Sequence, residues 1–279
     1  MRCGLIGLAG MLTEQATVGA CKARDTMKTR KFAALLTMLW LGSASAAVQA
    51  QSAPRLYLTT ETPPYGPREG DPAAGLGTDM VREIMARAHI AHTIDVLPWK
   101  RAYAAAVERS DACVYSTTRT PERERQFKWA GPIIQADWVL MARADRKLAL
   151  RSLDDARRYR IGTYIGDARD QFLRERGFDL DSAPSDLVNP RKLMLGRIDL
   201  WAASLGRSSA TLDRLGYAGK VVPVLVFNRI HTYLACNRAV PDALVARMNG
   251  ALDTMERDGT ANAIRHKYSQ PDKDAGIKR

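Results

Sequence analysis

The chain has 279 residues, 46% hydrophobic and 26% charged, enough for one large or two medium domains with a real core. Its formal net charge is +12, and residues 1–50 hold six Lys/Arg and two Asp/Glu, which leaves 36 basic against 28 acidic residues beyond them, a formal +8. Lys and Arg are scattered with no basic helix interleaved with aromatics, which argues against nucleic acid and leaves anionic ligands open; no run of about 20 apolar residues occurs, so no membrane span is expected.

Residues 1–50 read as a targeting region. Met27-Lys28-Thr29-Arg30-Lys31 is a basic n-region, and Phe32 to Leu41 is an apolar core of signal-peptide length. Small residues follow, with cleavage sites after Ala46 and after Ala50, the second favoured. Met27 is therefore the expected start, and an exported periplasmic protein the expected product. Val18-Gly19-Ala20-Cys21 resembles a lipoprotein cleavage box, but Glu14 and Gln15 interrupt the apolar run ahead of it. Cys113 and Cys236 lie beyond the signal, both in apolar strand-like runs. An oxidising compartment allows a bridge between them, and two buried free thiols are the equal alternative.

Arg55 to Thr60 predicts the first strand, followed by a Pro- and Gly-rich loop to Gly77 that holds Tyr65. Thr78 or Asp79 is the expected cap of a helix whose apolar positions Met80, Val81, Ile84, Met85 and Ala88 recur at helical spacing. Thr93 to Leu97 predicts a strand, Trp99 to Arg109 a helix, and Ala112 to Tyr115 a buried strand. The next stretch, Ser116-Thr117-Thr118-Arg119-Thr120-Pro121-Glu122-Arg123, breaks a local rule. Thr120 and Pro121 suit a helix start, yet Arg123 puts a cation in the first turn, against the macrodipole. An anion docking there would meet Arg123, free N–H groups and the preceding hydroxyls. A solvated charged turn is the plainer reading of the same residues.

Past Gly131-Pro132, strands are expected at Trp138 to Arg143, Arg160 to Tyr164, Ile198 to Ala202, Val221 to Phe227 and Thr232 to Cys236. Helices are expected to open at Ser152, to run from the turn Ile165-Gly166-Asp167 to about Arg176, and to span Leu187 to Gly196 and Ser208 to Leu215. Pro241 to Arg257 is a further amphipathic helix, with Pro241 at its first position and Leu244, Met248, Leu252 and Met255 on one stripe. A terminal helix reaches Tyr268, and residues 271–279 read as a disordered tail. Strands alternating with helices indicate βαβ units and a parallel sheet.

The order of the pieces is specific. Thr62-Pro63-Pro64-Tyr65, then Gly75 to Met80, then Thr118 to Arg123 with Gly131-Pro132, and the closing helices from Leu244 to Tyr268 together resemble the family 3 extracellular solute-binding proteins of ABC importers, the polar amino-acid binders. The resemblance covers residues 55–268. It implies an α/β, two-lobed type II periplasmic binding protein-like fold, two parallel-sheet lobes joined by two crossing strands with ligand in the cleft. Lobe 1 is expected at 51–134 plus 229–270, and lobe 2 at 135–228.

Carried over, Arg123 aligns with the arginine that pairs with a ligand carboxylate, and Thr118 and Ser116 with the strand-end positions that complete the grip. Trp99 aligns with an aromatic wall position, Glu61 with an acidic position that reads the ligand's ammonium or polar tail, and Tyr65 closes the same wall. In lobe 2, Tyr164-Ile165-Gly166-Asp167 matches a turn presenting N–H groups, with Asp167 as cap, ligand contact or both. Arg101 adds a cation if the Trp99-x-Arg101 pair faces the cleft. The family's ammonium-binding aspartate is here Ser204, so either Glu61 or Asp167 takes that role or the ligand is not a standard α-amino acid. Beside these stand plain alternatives: Trp99 and Tyr65 as packing aromatics, Arg101 as a solvated charge, and Glu61 as a turn cap. His89, His92, His231 and His266 share no helix face or metal spacing, so neither a metal nor a catalytic histidine is expected.

The resemblance implies a monomeric, non-enzymatic protein without cofactors that captures a small carboxylated solute and passes it to an inner-membrane ABC permease. The alternative is a periplasmic enzyme on the same scaffold, similar to cyclohexadienyl dehydratases, with Glu61 or Asp167 as general acid. A sensor or cell-wall hydrolase would need an attached domain, and none is expected.

Overall fold

The computed structural model describes residues 55–61, 71 and 73–268. The signal segment, Tyr65 and the tail from Pro271 lie outside the described residues. The chain runs β1 (Leu56–Glu61), α1 (Leu76–Arg87), β2 (His92–Leu97), α2 (Trp99–Glu108), β3 (Ala112–Thr118), α3 (Pro121–Glu124) and β4 (Phe127–Arg143). It continues through β5 (Ile161–Tyr164), α4 (Ala168–Arg174), β6 (Leu180–Ala183), α5 (Asn189–Met194), β7 (Leu200–Ser204) and α6 (Leu205–Leu215). It closes with β8 (Val221–Asn237), α7 (Asp242–Arg257) and α8 (Thr260–Tyr268).

These strands form one mixed eight-stranded sheet in the order β2-β1-β3-β8-β4-β7-β5-β6. β1 pairs parallel with β2 and β3, and β5 pairs parallel with β6 and β7, as the helical crossovers between them require. The two parallel halves are joined by β4 and β8, each 17 residues long and antiparallel, with Phe127 opposite Asn237 and Arg143 opposite Val221. The sequence reads both of these as shorter strands. In the structure the β4–β8 ladder shifts register between Ala130 and Ile134, so Pro132, which has no N–H to donate, falls in the gap and the strand continues past it. β6 has no counterpart in the sequence reading, because Leu-Asp-Ser-Ala offers neither an apolar run nor clear alternation.

The expected helix stripes are buried. Met80, Val81, Ile84 and Met85 of α1 pack with Leu244, Met248, Leu252 and Met255 of α7 over the β1–β3 half. In the other half adjacent residues of one strand serve opposite faces. Leu140 joins a core with Ile161, Leu173 and Leu200, while Val139 joins one with Leu193, Trp201 and Leu212.

Two caps differ from expectation. α1 begins at Leu76 behind Gly75, which has no side chain to offer, so Thr78 and Asp79 sit inside its first turn. There Thr78 Oγ1 bonds the Ala73 carbonyl and lies 2.8 Å from Tyr115 Oη, and Asp79 accepts from Lys267 and Tyr268 of α8, each at 2.7 Å. Asp79 is thus spent on fastening α8 to α1. At α7, Pro241 is the N-cap residue instead of the first helical one.

Cys113 and Cys236 form a disulfide, the first of the two alternatives open in the sequence. They stand directly opposite each other on β3 and β8, fully buried, 123 residues apart in the chain. A double Cys113→Ala/Cys236→Ala variant is expected to lose about 2–5 kcal/mol of unfolding free energy. Urea unfolding of the two proteins measures this, and an unchanged midpoint would contradict it.

Candidate functional site

β3 delivers the stretch singled out in the sequence. Between Val114 and Thr117 its pairing with β8 shifts register, and Ser116 adopts φ 58° in the left-handed region, where a residue with a Cβ is strained. The irregularity leaves Ser116 exposed between buried Tyr115 and Thr117. Gly77 makes room for it, since a Cβ there would lie 2.7 Å from Ser116 Oγ. α3 follows with Thr120 as N-cap and Pro121 in the first turn, but without a side-chain cap bond.

Arg123 leaves this single turn inward and is only 6% exposed. Its Nη1 donates to the Thr118 carbonyl at 3.3 Å, and its Nη2 to the Gly166 carbonyl at 3.1 Å. The guanidinium lies 5.6 Å from the Trp99 ring and 5.2 Å from the Tyr103 ring, within cation–π range. Among the described residues no carboxylate forms an ion pair with it. A four-residue helix has little macrodipole, so ring faces and carbonyls, not the helix, hold the cation in place.

Glu61, at the end of β1, faces the other half of the molecule. Its Oε2 receives Arg207 Nη2 at 2.7 Å and the Tyr164 hydroxyl at 3.2 Å. Burial pushes the Glu61 carboxyl above its usual range, and Arg207 opposes that shift. Burial, with Asp167 and Glu61 adding to it, raises the Tyr164 phenol well above its ordinary value, so it stays a donor. Asp167 caps α4 by accepting the Arg169 N–H at 2.8 Å, and the same oxygen receives Arg169 Nε at 2.7 Å. Arg169 also reaches Asp186 at 3.3 Å, and Asp186 accepts from Trp201 Nε1 at 2.7 Å and Asn189 Nδ2 at 3.1 Å. Burial would lower the Arg169 pKa, but Asp167 and Asp186 outweigh it and hold the group charged.

One cavity of about 430 Å³ gathers most of the expected site residues. Ser116, Thr118, Glu61, Trp99, Arg123, Tyr164, Asp167 and Ser204 all line it. Two do not. Gly166 stands at its margin, and its carbonyl, not its N–H, is engaged, accepting from both Trp99 Nε1 at 2.9 Å and Arg123. Arg101 is exposed and does not line this cavity: two residues past the inward Trp99, it falls on the far side of α2. It is the solvated charge of the plainer reading.

The sequence reading missed Arg169, Arg207, Asp186 and Asp137. Arg207 sits in the first turn of α6, the same cation-against-dipole signal that drew attention to Arg123, and that signal could have found it. Asp186 and Arg169 meet only through folding and give no local sign.

The sequence profile of the bacterial extracellular solute-binding proteins, family 3, matches residues 55–271. The L-cystine-binding protein TcyJ of Escherichia coli (strain K12) is 24% identical over 167 residues, 58% of this chain and 60% of that protein, so the chain spans about three fifths of the curated relative it matches. Among solved structures, a histidine kinase sensor domain with similarity to periplasmic binding proteins superposes at TM-score 0.70 and 21% identity, covering 77% of this chain and 95% of that one. The ancestral amino acid-binding protein AncCDT-1, a precursor of cyclohexadienyl dehydratase, superposes at TM-score 0.66 and 18% identity, covering 78% of this chain and 96% of that one. These neighbours share the type II periplasmic binding protein fold.

The buried charges make distinct demands on stability. Arg169→Met leaves buried Asp186 and half-buried Asp167 without their cation, and is expected to cost about 3–5 kcal/mol. Chemical denaturation measures it; a loss under about 1 kcal/mol would mean that Asp167 and Asp186 are not held by Arg169.

Proposed function

Because the chain belongs to the bacterial extracellular solute-binding proteins, family 3, we propose that it captures a small carboxylate-bearing solute outside the cytoplasm and delivers it to an inner-membrane ABC permease. It acts as a monomer, without a cofactor and without changing the ligand. Lobe 1 comprises 51–134 with 229–270 and lobe 2 comprises 135–228, the solute lying between them. Export follows cleavage of the signal segment near Ala50.

The observation that carries this reading is Arg123: a buried guanidinium lining the cavity, with only carbonyls and ring faces as partners. A planar guanidinium matches a carboxylate in bidentate fashion, and desolvation strengthens the pair. Ser116 and Thr118 supply hydroxyls beside it, and Trp99 forms an apolar wall. Contacts from Trp99 and Arg123 to Gly166, and from Glu61 to Tyr164 and Arg207, cross between the lobes. They support hinge closure as the way the ligand is enclosed.

A second reading, an enzyme on this scaffold, finds support in Glu61, whose carboxyl burial shifts above its usual range, and in the likeness to AncCDT-1. Glu61 is engaged by Arg207, which pulls against a general-acid role. Turnover of a cyclohexadienyl substrate by purified protein would establish the enzyme; saturable binding that returns the ligand unchanged supports the binding protein.

A saturating carboxylate at a hundredfold excess over Kd is expected to stabilise the protein by about 2.7 kcal/mol. Arg123→Ala is expected to abolish that shift in a thermal-shift screen of amino acids and organic acids, while lowering the melting temperature of the ligand-free protein less than Arg169→Met does. Retained binding in Arg123→Ala would refute the role given to Arg123.

A further inference from the structure

The carboxylates lining the cavity each already touch a guanidinium. Glu61 holds Arg207 at 2.7 Å, Asp167 holds Arg169 at 2.7 Å, and Asp137 holds Arg229 at 2.9 Å. Arg123 has no such partner among the described residues. Total charge gives an anion no advantage, because Glu61, Asp137, Asp167 and Asp186 balance Arg123, Arg169, Arg207 and Arg229. Contact does choose. The attraction of a unit pair is strongest in direct contact and falls with distance. An entering carboxylate meets a guanidinium bonded only to carbonyls, whereas an entering ammonium meets carboxylates whose nearest neighbour is already a cation.

Arg207 is central to this arrangement. It lies in the first turn of α6, where a cation opposes the macrodipole. Its contact with Glu61 crosses from the end of β1 to the other half of the molecule and offsets that penalty. Ser204, the N-cap residue of the same helix, makes no cap bond with its side chain and lines the cavity, so it offers a neutral hydroxyl.

We propose, resting on the solute-binding reading above, that Arg207 stands on Glu61 where a ligand ammonium would otherwise pair, and so selects carboxylates that carry no amino group. The ligand class is a small organic acid whose body lies against Trp99, Ile134 and Trp138 and whose far end meets neutral groups such as Ser204 and Gln135.

The test is a calorimetric comparison of matched acids that differ only in the amino group: 3-phenylpropanoate with L-phenylalanine, 4-methylpentanoate with L-leucine, and glutarate with L-glutamate. In the wild type the member without the amino group is expected to bind at least tenfold tighter in any pair that binds. Arg207→Gln, checked for folding by its melting curve, is expected to narrow or reverse that ratio. Tighter binding of the amino acid by the wild type, abolished by Arg123→Ala, would overturn this selection and leave the solute-binding reading intact. No saturable binding of any of the six acids would overturn both.

Discussion

A guanidinium buried without a carboxylate partner is the constraint on which the site depends. Burying an unpaired charge is costly, and the fold meets that cost at Arg123 with acceptors that carry no net charge: the Thr118 and Gly166 carbonyls and the faces of Trp99 and Tyr103. The cation therefore stays in place and keeps its full attraction for an anion. The Gly166 carbonyl also receives Trp99 Nε1, so one backbone oxygen of the second half ties down both the aromatic wall and the cation of the first. The remaining arginines differ in kind. Arg169 and Arg207 are each paired with carboxylates, although Arg169 Nη1 is buried without a hydrogen-bond partner beside the cavity.

The long β4–β8 pair makes this arrangement possible. It runs through both halves of the sheet, and the cavity residues Ile134 to Trp138, Ile230 and Thr232 come from its middle. Relative motion of the halves must therefore bend the same backbone that forms the cavity floor. The ladder is irregular there, with register shifts at Ala130/Ile134 and Trp138/Val139. The first half is tied to this ribbon by the Cys113–Cys236 bridge between β3 and β8, and is braced further by the bonds from α8 to Asp79.

Much of this was legible in the sequence wherever the cause is local. The α1 and α7 stripes follow helical spacing, and the odd placement of Arg123 in a first turn pointed to a side chain that the fold buries against the cavity. The merging of short strands into β4 and β8 was not legible, because Pro132 and the polar residues Asn228, Arg229 and His231 imitate loop signals and only the partner strand shows that they are tolerated. Which of the two readings of Arg101 applies was not legible either, because nearness to Trp99 along the chain says nothing of the opposite helix faces on which the two residues fall. The engagement of Glu61 by Arg207 joins residues 146 positions apart in the chain, and no local pattern announces it. That engagement changes the chemistry most, since the sequence left Glu61 open as a reader of ammonium.

The central claim is that Arg123 receives the ligand's carboxylate while Glu61 stays with Arg207. A crystal structure of the protein with a bound organic acid tests it most directly. The predicted result is two N–H···O contacts of about 2.7–2.9 Å from Arg123 to the ligand carboxylate, with the Glu61–Arg207 ion pair intact. A carboxylate bound elsewhere, or Arg207 displaced from Glu61 by a ligand cation, would contradict it.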